Sequence, residues 1–105
     1  MEDGNLKLYV LKIILKKTIF DRVRKIVSDS FFSNGGRDIY KAISKIYEDN
    51  PGIEEISISD LRISYFETYF ANQSFQSEKN IKELISRIER IQDMNESVVE
   101  NAIKS

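Results

Sequence analysis

The sequence has no cysteine, no histidine and no tryptophan, one proline and four glycines. Without cysteine and histidine there is no disulfide, no thiol nucleophile, no Cys/His zinc site and no imidazole base. Only a carboxylate-held metal, or a mechanism built on Ser, Lys, Tyr or carboxylates, stays open. Lack of cysteine also fits an intracellular chain. Long apolar runs are missing too. The richest stretch, Leu6 to Leu15, is interrupted by Lys7 and Lys12 and has no small-residue cleavage site after it. It is too short and too charged for a membrane span or a secretory leader.

What is present describes one soluble helical domain. The chain has 105 residues, 41% of them hydrophobic and 31% charged, enough to bury a single core without covalent staples. Net charge is −1, but it is unevenly spread. Residues 1–25 carry seven lysines and arginines against three acids, a local +4, while the remainder carries nine against fourteen, a local −5. The basic set is Lys12, Lys16, Lys17, Arg22, Arg24 and Lys25 together with Lys7. Such polarity suits electrostatic self-association or docking on a charged partner; two ordinary solvated faces would look the same.

Helical periodicity fills the chain between its few breakers. Leu6, Val10, Ile13 and Ile14, widened by Leu8, Tyr9, Leu11 and Leu15, predict a helix buried on most sides. A second helix places Ile19, Phe20, Val23, Ile26 and Val27 on one stripe. After Ser28-Asp29-Ser30, one of Phe31 and Phe32 is expected to plug the core, because exposing both rings is costly. Ser33-Asn34-Gly35-Gly36 reads as a turn into a third helix with Ile39, Tyr40, Ile43, Ile46 and Tyr47 inward, stopped by Asp49-Asn50-Pro51-Gly52.

Ile53 to Ile56 reads as extended, and Ser57 with Asp60 as a capping pair for a fourth helix. Asn72-Gln73-Ser74 ends that helix, and Ser77 caps a fifth. Its seam is Ile81, Leu84, Ile85, Ile88 and Ile91, with a Glu83–Arg87 pair at supportive spacing. Packing of this seam within the domain is preferred to packing on a partner. A break at residues 93–95 precedes a last short helix, Val98 to Ile103. The fold class is therefore all-α, a compact bundle of about five to six helices.

Motifs for chemistry are absent. Gly35-Gly36 is followed by Arg37-Asp38 and not by a phosphate loop's Gly-Lys-Ser/Thr, so a plain turn is the better reading. Glu54-Glu55 with Asp60, and Glu48-Asp49, lack the alternating spacing of a calcium loop. No catalytic residue, metal or cofactor is indicated. The aromatic cluster Tyr65, Phe66, Tyr69 and Phe70, with Phe75 beyond it, covers more helix surface than a core stripe needs. It is divided between core and a candidate protein interface. The basic residues of the first two helices are a candidate phosphate-binding surface.

One stretch resembles a known family. Phe20-Asp21-Arg22-Val23, Ile26, Asp29 with Phe31-Phe32, Arg37, Ile39-Tyr40, Ala42-Ile43 and Ile46-Tyr47 resemble the amino-terminal domain of DnaB-type replicative DNA helicases. Ile53 to Ile56 and Ser57 to Leu61 match the family's short extended stretch and next helix. Phe75 through Ile85 looks closest to divergent tailed-phage members. The chain departs from the pattern at Gly36, where a histidine is common, and in lacking that turn's proline.

The resemblance implies a helical head over residues 1–94 and the start of a helical hairpin or linker helix over 95–105. It implies a chain that is a piece of a longer protein, working in the cytoplasm of a bacterial or phage-infected cell. Its expected roles are association with other helicase subunits in a collar and docking of primase, with a helicase loader as a further partner. Direct contact with nucleic acid and with membrane is not expected, and no catalytic residue of the family falls in this region. The alternatives are a stand-alone adaptor or helicase inhibitor that mimics such a domain, and a small nucleic-acid-binding domain using the basic first two helices.

Overall fold

The computed structural model describes residues 3–69 and 75–104, with side chains from 6 to 68 and from 77 to 104. Among these residues the chain is all-helical: α1 (Asp3–Ile13), α2 (Lys17–Val23), α3 (Asn34–Asp49), α4 (Ile58–Ile63), α5 (Phe75–Arg90) and α6 (Glu96–Lys104). A 3-10 turn spans Asp29–Phe31, and a π-helical turn, Ser64–Tyr69, continues α4. The radius of gyration is 13.0 Å, the value for a chain of this length folded as one body.

The centre of the body is α3. Its Ile39, Tyr40, Ala42, Ile43, Ile46 and Tyr47 are buried at helical spacing, and they pack against α1 and α5. The helix stops because Pro51 disfavours helical geometry at the residue before it. Asn50 accordingly leaves the helical region (φ −131°, ψ 70°), and its amide side chain donates to the Ile46 carbonyl at 2.9 Å.

The other end of α3 differs from expectation. The helix begins at Asn34, so Gly35 and Gly36 lie in its first turn and not in a loop ahead of it. Asn34 takes φ 49°, a left-handed value that asparagine tolerates. A Cβ on Gly35 would sit 2.7 Å from Leu84 Cδ1 and 3.0 Å from Ile81 Cδ1. The missing side chain is what lets α5 lie against the start of α3.

A ring of aromatic contacts joins α2 to α3. Phe20 and Tyr47 centroids are 4.7 Å apart, Phe32 and Tyr40 stack at 4.8 Å, and Phe31 meets Phe32 edge-on at 5.0 Å. Phe32 is thus the expected plug of the core and Phe31 is only partly buried. Arg37 holds this loop by donating to the Phe32 carbonyl at 3.2 Å.

Helix α2 is shorter than its stripe suggests. It ends at Val23, and Ile26, expected inward, is 38% exposed on the following turn. The extended stretch at residues 53–56 makes one antiparallel bridge, Glu55 to Lys16, flanked by Lys17 N–H to the Glu54 carbonyl (2.9 Å) and Ile56 N–H to the Leu15 carbonyl (2.7 Å). These bonds fasten the corner between α1 and α2. Tyr47 reaches the same corner, its hydroxyl donating to the Ile14 carbonyl at 2.8 Å. Burial pushes the Tyr47 phenol well above its ordinary pKa, which keeps it a neutral donor.

Ser57 caps α4 by accepting from the Asp60 N–H at 3.0 Å. The expected end of that helix at Asn72-Gln73-Ser74 lies outside the described residues. Helix α5 starts at Phe75, so Ser77 is within it and does not cap it. Ile81, Ile85 and Ile88 are buried against α1, α3 and α4, which uses the seam inside the domain. The side-chain pair that closes at i,i+4 on α5 is Glu78–Lys82, at 3.0 Å.

Truncating Ile43 to alanine is expected to cost about 2–5 kcal/mol, read from the denaturation midpoint. Tyr47→Phe leaves the Ile14 carbonyl without its buried donor and is expected to cost about 1–3 kcal/mol. An unchanged midpoint for Tyr47→Phe would show that this bond does not hold the corner.

Candidate protein-binding face

The aromatic cluster is largely core where it can be seen. Tyr65 is fully buried, which corrects its placement at an interface. It lies four residues after buried Leu61 and so returns to the same inward side. Phe66 is partly buried against the core; its ring meets Tyr65 edge-on at 5.0 Å and carries the Lys82 ammonium at 5.5 Å. The side chains of Tyr69 and Phe75, and the whole of Phe70, lie outside the described residues.

The basic set divides. Arg22 donates to Glu100 through two atoms, Nη2 to Oε1 at 2.7 Å and Nε to Oε2 at 3.0 Å. Lys16 pairs with Glu96 at 3.0 Å. Both acids are on α6, so two of the six basic residues fasten that helix to the rest of the body. Of the other four, Lys12 lines an open cleft of about 620 Å³ beside Lys16, Glu55 and Glu96. Lys17 and Arg24 line a second, of about 470 Å³, facing Asp21 and Glu48. Arg24 also rests 5.9 Å from the Phe20 ring centroid, and Lys25 is exposed. The acids that share the lining of both clefts with Lys12, Lys17 and Arg24 break up the basic surface that a phosphate backbone would follow.

Helix α6 is docked on the body. Asn95 caps it by accepting from the N–H groups of Ser97 (2.9 Å) and Val98 (3.3 Å). The reversal from α5 runs through Asp93 at φ 57°. Val99 belongs to the common core, with Ile103 packed against it, and Glu100 is only 7% exposed. Contact with Arg22 holds the Glu100 carboxyl below its ordinary pKa, mainly through the hydrogen bonds and partly through charge, against burial pulling the other way.

Three adjoining hollows run around the outward side of α1. The first is lined by Lys7, Leu8, Leu11 and Gly35 with Leu84 and Arg87 of α5, about 320 Å³. It shares Leu8 and Arg87 with the second, about 280 Å³, which adds Tyr9, Arg90 and Ile91. Tyr9 leads into the third, about 250 Å³, with Leu6, Met94, Val98 and Ala102. Val98 is 63% exposed here. The face is apolar along its floor and cationic along the α5 edge. Its residues were legible as helix formers and not as a site, because they come from four helices, α1, α3, α5 and α6.

Among the described residues no group of three or more acids is placed to hold a metal ion, and no helix is long and apolar enough to cross a membrane. Comparison with protein families, characterised proteins and solved structures finds no match to this chain.

A lowered carboxyl pKa contributes stability above the ordinary carboxylate range and loses it as pH falls through the folded value. Wild type is therefore expected to melt a few degrees above Glu100→Gln at neutral pH, with the gap closing below about pH 4. A gap that persists undiminished at acid pH would show that the Arg22–Glu100 pair is not its source.

Proposed function

We propose that the chain is a protein-interaction domain without chemistry of its own. The observation that carries this reading is the face around α1, where Leu6, Tyr9, Met94, Val98 and Ala102 line one hollow. Val98 is exposed there and Leu6, Tyr9 and Met94 are only partly buried, so apolar side chains border an opening that the core of a protein interface can fill. Occupation of Lys16 and Arg22 by Glu96 and Glu100 weighs against the nucleic-acid reading.

In its finer form, the reading is that of an amino-terminal domain of a DnaB-type replicative helicase, associating with other helicase subunits and docking primase, with a loader as a further partner. Its support is the resemblance between Phe20 and Tyr47. The pattern residues Phe20, Phe32, Ile39, Tyr40, Ile43 and Tyr47 pack as one buried unit, so the likeness lies in residues that specify a fold.

Sedimentation velocity over a concentration series tests subunit association. A mass rising with concentration is expected in the micromolar range; a strict monomer at about 100 μM, a binding energy weaker than about −5.5 kcal/mol, would overturn it. Fluorescence anisotropy with single- and double-stranded DNA is expected to show weak binding at physiological salt. Tight binding that falls steeply with salt and is abolished by Lys17→Glu with Arg24→Glu would favour the phosphate-binding reading.

A further inference from the structure

We propose that the face around α1 is a trough that receives an amphipathic helix bearing a row of carboxylates. The inference deepens the reading of the chain as a protein-interaction domain and rests on it. Each of the three hollows is too small and open to enclose a ligand of its own, but they meet at shared residues, Leu8 with Arg87 and then Tyr9. Their floor is supplied by Leu6, Leu8, Tyr9, Leu84, Met94 and Val98. Helix-in-groove recognition uses such a floor, which accepts apolar anchors at three- and four-residue spacing. The α1 lining runs from Leu6 to Leu11 and the α5 lining from Leu84 to Arg90, each about 8–9 Å of helix, room for roughly two turns of a docked helix.

Charge selects among helices. Lys7, Arg87 and Arg90 line the trough on the α5 side, and Asp93, at the far end, is the sole acid among its described lining residues. This is a local excess of cations in a chain of net charge −1. Unlike Lys16 and Arg22, the two arginines form no ion pair among the described residues. The amino-terminal end of α3 opens on the first hollow and adds its positive end to the same field. A partner with carboxylates along one edge of its apolar stripe therefore meets arginine along one wall and hydrocarbon beneath. The concavity argues against a bilayer as the occupant, since apolar groups that enter a membrane interface must project from a helix or loop.

The test uses the full chain and two synthetic helical peptides of roughly 18 residues, with leucines at helical spacing and either glutamate or lysine along one edge. Amide shift titrations are expected to show the glutamate peptide binding, with changes at Leu8, Tyr9, Arg87, Arg90 and Val98. The lysine peptide is expected to bind at least about tenfold more weakly. Arg87→Glu with Arg90→Glu should weaken the glutamate peptide about tenfold while leaving the melting temperature unchanged, since both side chains are exposed. Val98→Asp, at an exposed position, should weaken both peptides.

Equal binding of the two peptides, shift changes on another face, or no binding at all would overturn the trough. So would preferential binding to phosphatidylserine vesicles that the double arginine variant abolishes, which would make the face a lipid reader. Peptide binding lost while self-association persists would remove the trough and leave the interaction-domain reading standing. Failure of both would remove both.

Discussion

The corner between α1 and α2 is the constraint on which the rest of the body depends. Helix α1 has to end after Ile13 so that α2 can turn back, and two separate pieces of chain enforce that ending. Tyr47 donates from α3 to the Ile14 carbonyl, while residues 54–56 give and take backbone hydrogen bonds with Leu15 and Lys17. With the corner fixed, Phe20 reaches the Tyr47 ring. Lys16 and Arg22 are then carried outward to meet α6. A buried donor and acceptor left unmatched costs more than the bond itself contributes, so this geometry is specified as well as stabilised.

The uneven charge along the sequence acquires a different meaning once the chain is folded. A basic first quarter and an acidic remainder look like an invitation to another molecule. Part of that attraction is met within the fold, where residues 16 and 22 hold Glu96 and Glu100 across a long separation in sequence. The exposed Lys16–Glu96 pair adds little to stability. Glu100 is the more consequential acid, because it is nearly buried and has both oxygens bonded by one guanidinium. Of the cations outside these pairs, Lys7, Arg87 and Arg90 stand beside apolar side chains of α1 and α5, whereas Lys17 and Arg24 share a cleft with Asp21 and Glu48.

Much of the fold was legible in local pattern. The stripes of α3 and α5 are amphipathic enough that Ile39 to Tyr47 and Ile81 to Ile88 could be assigned inward from spacing alone, and Phe32, Asn50 and Ser57 follow from ring burial, proline sterics and capping. Boundaries were less legible: Gly35 sits inside α3 where Leu84 and Ile81 crowd the place of a Cβ, a contact with a distant helix that no local rule reveals. Ile26 continues a stripe that the backbone has already abandoned. Tyr65 shows the limit for the site, since an aromatic surplus does not say which ring turns inward. The Arg22–Glu100 pair spans 78 positions, and the hollows around α1 draw on four helices. Neither leaves a periodic signature.

The docking of α6 also sets an order of events in time. Helix α1 is made before the side chains of α3, α5 and α6 that cover it. Until α5 and α6 leave the ribosome, Val10, Ile13 and Ile14 are open on the sides that those two helices later cover. Contacts across so long a stretch of chain close after the local ones, and the apolar side chains they cover stay exposed until they do. The Arg22–Glu100 pair, 78 positions apart, is accordingly a contact that forms only once synthesis has passed α6.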